Sequence, residues 1–234
     1  MTRLLMGLTL AACTSSEPAQ PTQFDVSLEN ISGAGILVTS TGVDADVLFA
    51  PGILVHHQDG FALFEDGQPA LHAGFEAMVE DGANAELVTA LTSAEGVVEV
   101  ASFAALDASY NDAPMMPGDQ ARLSIFAVPG DRLTVATMFG QSNDVFAAVF
   151  DLELFDEQGE PIDYSGSDRL TLWDAGTEVN EEPGLGPNQA PRQEQPDTGE
   201  DENGVVEQIN GTDADGFAYP SVDQMLNLEV RPGG

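Results

Sequence analysis

Apolar and polar residues alternate along much of this chain, and a period of two predicts strands with one buried face. Residues 24–29 alternate without a break, and residues 226–231 repeat the pattern near the other end. Further strand-like runs, separated by Gly, Pro and Asp turns, cover residues 47–55, 96–106, 121–128, 133–139, 144–155 and 169–173. A chain that begins and ends in strands usually closes one sheet with both. We therefore expect the two terminal strands to share a sheet.

One region departs from the strand pattern. Between residues 71 and 92 the apolar side chains recur at helical spacing, and residues 81–84 interrupt the run. This spacing predicts two short helices that cover one edge or end of the fold, with Asn84 able to cap the second helix. Many short strands at such intervals favour an antiparallel β-sandwich over a barrel, although the spacing is compatible with both. We expect a single, mainly β domain over residues 24–232.

The charge of the chain is strongly negative. Asp and Glu number 40 against 6 Lys and Arg, which gives a formal net charge of -34, and every basic residue is an arginine. Nucleic acids and anionic lipid headgroups are poor partners for such a chain, because binding phosphates requires a basic patch. The charge favours cations and basic surfaces as partners and a saline or divalent-rich environment. Most of the carboxylates are expected to form a solvated surface.

The first residues have the order of a secretory signal. Arg3 precedes an apolar run within residues 1–12, and residues 10–13 (LAAC) are similar to a bacterial lipobox, in which cleavage leaves Cys13 as the lipidated first residue. An ordinary signal beside an incidental cysteine is the alternative. Residues 13–23 comprise Cys13 and a tether rich in Ser, Thr, Pro and Gln, which predicts flexibility. We expect an exported chain, lipid-anchored to the outer membrane of a bacterial envelope, that touches the membrane only through its anchor.

The composition shifts again over residues 181–203, where Pro, Gly, Gln, Asn, Glu and Asp replace almost all apolar residues. Such a composition is typical of a long surface loop. A disordered segment is the simpler interpretation, and an ordered loop that contacts a ligand is the alternative.

Three carboxylates stand at loop positions where they could bind an ion. Asp174 and Glu178 lie four residues apart around Gly176, directly after Trp173, which is the only tryptophan. Asp144 stands at the start of another apolar run. Acidic side chains that converge from two loops suit calcium, which takes oxygen ligands and tolerates irregular geometry. Three surface acids without an ion are the alternative.

Other chemistry finds less support in the sequence. His56 and His57 are adjacent, and neighbouring residues of a strand point to opposite faces, so packing or hydrogen-bonding roles are favoured over a zinc site for His56 and His72. Two acidic segments lack the terminal carboxylates of an EF-hand loop, and no serine lies in a Gly-x-Ser-x-Gly turn. We therefore do not expect an enzyme.

Three blocks of the chain resemble the spondin amino-terminal domain of F-spondin and mindin, which also occurs in secreted bacterial proteins. They are residues 133–144 (LTVATMFGQSND), 150–159 (FDLELFDEQG) and 173–184 (WDAGTEVNEEPG). Residues 24–32, 50–56 and 64–67 fit as well. The resemblance implies a C2-like antiparallel β-sandwich, one calcium ion bound by Asp144, Asp174 and Glu178, and a role in extracellular adhesion. Glu178 stands where the animal proteins usually have aspartate.

The sequence thus leads to one expectation and two alternatives. The expectation is a non-enzymatic, calcium-binding recognition module on the cell surface, whose partner is an extracellular protein or polysaccharide. One alternative is a metal-dependent hydrolase that uses the same carboxylates with His56 nearby. The other is an acidic, salt-adapted envelope spacer without a ligand.

Overall fold

The computed structural model describes residues 19–106 and 112–233. The predicted signal, Cys13 and residues 14–18 of the predicted tether lie outside the described residues. The strands are β1 (Thr22–Asn30), β2 (Leu37–Val38), β3 (Asp44–Ala45), β4 (Gly52–Gln58), β5 (Val97–Phe103), β6 (Gln120–Ala127), β7 (Asp131–Met138), β8 (Val145–Glu153), β9 (Tyr164–Gly166), β10 (Thr171–Asp174), β11 (Glu207–Ile209) and β12 (Leu226–Pro232). The helices are α1 (Phe75–Asp81), α2 (Ala85–Leu91) and a short 3-10 turn, Val222–Gln224.

Two antiparallel sheets pack face to face, which confirms the predicted β-sandwich. The smaller sheet has the order β6-β1-β12-β9 and the larger has the order β11-β10-β8-β7-β4-β5. β1 pairs with β12 from Phe24 opposite Pro232 to Asn30 opposite Leu226, so the prediction that the terminal strands share a sheet is confirmed. Side chains of both sheets, such as Phe24 and Val135, form one apolar core between them.

The central strands β4 and β7 of the larger sheet are buried on both faces, and this corrects the expected position of the helices. Alternate residues of β4 and β7 belong to two different apolar clusters: Leu54 and Val135 face the smaller sheet, whereas Ile53 and Ala136 face the helices. The helices therefore cover a face of the sheet rather than an edge or end. Burial on both faces also explains why β7 is apolar or buried at almost every position instead of alternating.

Asn84 precedes α2 as predicted but does not cap it. Its side chain makes no capping hydrogen bond, and its Nδ2 instead donates to the Gly52 carbonyl at 3.1 Å. Asn84 is buried, so this bond ties the start of α2 to the start of β4.

Candidate cation site

Asp144 lies in the tight turn between β7 and β8, and the residues before it fix that turn. Ser142 Oγ donates to the Phe139 carbonyl at 2.7 Å and accepts the Val145 N–H at 3.0 Å. Asn143 Nδ2 donates to the carbonyls of Glu178 and Val179 at 3.1 and 2.9 Å. Polar side chains are thus buried here because each satisfies backbone groups.

The two carboxylate oxygens of Asp144 have different surroundings. Oδ2 accepts the backbone N–H groups of Thr177 and Glu178 at 3.0 and 3.2 Å. Oδ1 has no hydrogen-bond partner, and it cannot be hydrated from bulk solvent because Asp144 is fully buried. A buried carboxylate oxygen without a partner costs free energy, so a donor, a proton or a cation at Oδ1 would stabilise the fold.

Asp174 ends β10 beside Asp144, because β10 pairs with β8 and places Asp174 opposite Val145. Its Oδ1 accepts the Gly176 N–H at 2.8 Å, and its Oδ2 accepts from Asn180 Nδ2 at 2.8 Å. The structure thus brings together two of the three carboxylates that the sequence proposed as ligands.

The third carboxylate at this place belongs to Glu202, which the sequence analysis did not single out. One ligand oxygen from each of Asp144, Asp174 and Glu202 lies within 4.8 Å of the others. Glu202 is held there by an antiparallel pairing, in which its N–H donates to the Thr177 carbonyl at 2.9 Å and Gly204 N–H donates to the Gly176 carbonyl at 2.7 Å. Asp144 and Asp174 are buried and Glu202 is exposed, so the group opens to solvent on the Glu202 side.

Glu178 is not a member of this group, although it was the predicted third ligand. Its backbone N–H faces Asp144, while its carboxylate packs against Gly199, whose missing Cβ leaves room for it. The charge of Glu178 instead raises the pKa of Glu80, which belongs to a second acidic group of the described residues, where Glu76, Glu80 and Asp197 bring ligand oxygens within 4.8 Å of one another.

The pKa values of these acids show how strongly negative the region is. Burial raises the pKa of Asp144 well above its ordinary value, and the charge of Asp174 raises it further. Burial and then the charge of Asp174 raise the pKa of Glu202. Burial, followed by the charges of Asp213, Asp144 and Asp174, raises the pKa of the Tyr219 hydroxyl. Each raised pKa means that the folded protein disfavours the ionised form of that group, so a bound cation would stabilise the ionised carboxylates.

Glu178 and Glu80, a member of the second acidic group, have raised pKa values as well. Burial, then the charge of Glu181, raises the pKa of Glu178 to about 7. Burial raises the pKa of Glu80 to about 8, with the charge of Glu178 adding to the effect. No arginine of the described residues forms an ion pair with either acidic group.

The histidines make hydrogen bonds inside the fold, as predicted for His56 and His72. His56 Nε2 lies 2.8 Å from Asp131 Oδ2, and His72 Nε2 lies 2.9 Å from the Ala62 carbonyl. Asp131 begins β7, whereas Asp144 follows the end of that strand. His56 is therefore at the opposite end of the strand from the carboxylate group, so the sheet does not place it beside those acids.

Segment 181–203 contacts the candidate site through backbone hydrogen bonds, which matches the ordered-loop alternative. Val179 N–H donates to the Glu200 carbonyl at 2.8 Å, and Gly184 N–H donates to the Gln141 carbonyl at 2.7 Å. No apolar periodicity in this segment identifies Glu202. The only sequence feature that reflects the close approach of the two segments is a pair of glycines, Gly176 and Gly204, which face each other across the pairing.

Comparisons of the chain with protein-family models and with curated proteins found no match. The spondin resemblance therefore stays a prediction. Among residues 19–106 and 112–233, no helix is both long and apolar enough to cross a membrane.

Proposed function

We propose that Asp144, Asp174 and Glu202 bind one calcium ion, and that the ion fixes the loops of a non-enzymatic extracellular recognition module. The observation that carries the proposal is the buried, unpartnered Oδ1 of Asp144 within a group of three carboxylates. Calcium suits this group because it accepts several oxygen ligands in flexible geometry and prefers carboxylates.

The three ligands join parts of the chain that are distant in sequence. Asp144 comes from the β7–β8 turn, Asp174 from the end of β10 and Glu202 from the segment that precedes β11. An ion shared by the three would hold the segment 181–203 against the sandwich. This is the physical basis for proposing a recognition surface of calcium-dependent shape.

The surroundings of this module are part of the same proposal. The lipobox-like residues 10–13 and the tether 13–23 support export and attachment to a bacterial envelope through Cys13. The net charge of -34 supports a partner that is not a nucleic acid, namely an extracellular protein or polysaccharide. The spondin resemblance supports an adhesive role.

Calcium titration of the chelator-treated protein tests the site. We expect one ion to bind at about 0.1–1 mM, the range of extracellular calcium modules. Asp174→Asn should abolish binding, and Glu202→Gln should weaken it about tenfold, or about 1.4 kcal/mol. Glu178→Gln is the matched control, because it makes the same chemical change in the same region outside the group.

Two results would overturn this assignment. The proposed ligand set fails if Glu178→Gln weakens calcium binding while Glu202→Gln does not. The non-enzymatic part fails if the protein hydrolyses a glycan or phosphoester and Asp174→Asn abolishes that activity. Absence of calcium binding by the unaltered protein would refute the whole proposal.

A further inference from the structure

A cleft lies on the helix-bearing face of the larger sheet, and its lining shares no residue with the group of Asp144, Asp174 and Glu202. It has a volume of about 430 Å³, within the range of pockets that bind small molecules and side chains. Residues 59–66 form one wall, and Thr134, Phe150, Asp151 and Trp173 form the rest.

Three aromatic rings form the apolar part of this cleft. Phe64 lies 4.9 Å from Trp173 and 5.6 Å from Phe150, and Phe150 lies 5.9 Å from Trp173, measured between ring centroids. Phe64 and Trp173 are buried, whereas Phe150 is 53% exposed. Phe150 therefore presents an accessible aromatic ring to any group that enters the cleft.

A β-bulge turns Phe150 and the next residue outward. The pairing of β7 with β8 shifts by one residue between Leu133 opposite Leu152 and Val135 opposite Val149. Asp151 has a positive φ of 56° at this bulge, which is uncommon for a residue other than glycine. Two successive residues of β8, Phe150 and Asp151, are consequently exposed. Bulges often redirect side chains in this way next to functional sites.

The rim of the cleft is acidic, and two of its carboxylates already have a cationic partner. Arg132 pairs with the lining residues Asp59 and Asp151, at 3.3 and 3.2 Å between the charged atoms. Glu65 and Asp66 line the cleft as well, and neither forms an ion pair within the described part of the chain. The cleft thus combines an exposed ring with two carboxylates that lack a cationic partner.

We propose that this cleft binds an arginine side chain of a basic partner peptide, which stacks on Phe150 and pairs with Glu65 and Asp66. Arginine suits the cleft because its planar guanidinium stacks on aromatic rings and binds carboxylates through two N–H groups. The net charge of -34 attracts a basic peptide and repels an acidic one. The inference does not depend on the proposed cation site.

The fluorescence of Trp173, the only tryptophan, reports directly on this cleft. The protein is titrated with a short glycine peptide that contains two arginines, and with the same peptide carrying the uncharged isostere citrulline. We expect saturable binding of the arginine peptide and little change with the citrulline peptide. Equal affinity for both peptides would overturn the proposal.

Variants separate the cleft from general attraction to an acidic protein. Phe150→Ala should weaken binding about two- to fivefold, as expected for loss of a cation–π contact near the surface. Its matched control is Phe126→Ala, because Phe126 is 62% exposed on the other sheet. Unchanged affinity in Phe150→Ala, or equal loss in both variants, would overturn the proposal.

A second pair of variants tests the carboxylates. The double change Glu65→Gln with Asp66→Asn should weaken binding and reduce its dependence on salt. The control double change, Glu157→Gln with Glu160→Gln, removes the same charge from exposed positions outside the cleft. Equal losses in the two double variants would show that net charge alone attracts the peptide, and would refute recognition by this cleft.

Discussion

Asp144→Asn is the sharpest test of how the carboxylate group is compensated. Asparagine keeps an oxygen for the Thr177 and Glu178 N–H groups that Oδ2 now accepts, and it removes the charge. Two unit charges within the observed 4.8 Å repel by about 3–4 kcal/mol at an effective dielectric constant of about 20. Since relaxation and partial protonation reduce this value, we expect the variant to be about 1–3 kcal/mol more stable in chelator near neutral pH. For a domain of this size that raises Tm by about 3–9 °C.

The assay is a thermal melt of both proteins in chelator and in saturating calcium. Calcium at ten times its Kd should add about 1.4 kcal/mol to the free energy of unfolding of the unaltered protein and nothing to that of the variant. The stability difference between the two proteins should therefore become smaller or change sign. Asp163→Asn, a change at an exposed aspartate between β8 and β9, serves as the control and should behave like the unaltered protein. A variant that is less stable in chelator, or that keeps the calcium response, would refute the reasoning.

Three further predictions concern the same region. In chelator, the free energy of unfolding should fall as pH rises from about 4.5 towards 8, because folding raises the pKa of Glu178 to about 7 and that of Glu80 to about 8. In this window the folded protein binds more protons than the unfolded chain, so a rise in pH disfavours the folded state. Thermal melts between pH 5 and 9 check this, and Glu80→Gln should reduce the pH dependence at the upper end of that range. Gly176→Ala should lower the free energy of unfolding by more than 1 kcal/mol, because φ is +64° and a Cβ would lie 2.5 Å from a backbone carbonyl oxygen; Gly130→Ala, with positive φ but open space, should cost less in denaturant titration. Asn143→Ala should lower the free energy of unfolding by about 2–4 kcal/mol and speed hydrogen exchange at residues 179–181, because one buried and two part-buried backbone groups lose their partners; unchanged exchange would contradict this role.

The sequence predicts the strands best where one face of the sheet is exposed or where turn residues are clear. The runs at residues 24–29 and 226–231 fall within β1 and β12, because alternation is strong where only one face is buried. The run at residues 47–55 overlaps β4 only from residue 52, since a strand buried on both faces has no alternation to mark its ends. The two-residue strands β2 and β3 are too short to produce a pattern.

The site could be predicted only in part, for a different reason. Asp144 and Asp174 stand at the ends of strands that pair with each other, so their proximity follows from local sequence and strand order. Glu202 reaches the group through a pairing between residues 176–179 and 200–204, in a segment without periodicity. The orientation of Glu178 depends on the space that Gly199 leaves across the same pairing. Both facts depend on tertiary contacts that spacing along the chain does not encode.

The remaining question is what compensates Asp144 Oδ1, and three groups could do so: a hydrogen-bond donor, a proton or a cation. The described residues provide no donor and no arginine. A proton shared with Asp174 or Glu202 would neutralise one of three charges, whereas calcium would neutralise two. Because proton and ion compete for the same oxygens, calcium affinity should fall as pH falls through the raised pKa of Asp144. Asp144→Asn removes both the ligand and the proton-binding group, so the variant should show no calcium response at any pH. An affinity of the unaltered protein that is constant from pH 8 to 5 would show that no buried acid takes part in binding calcium.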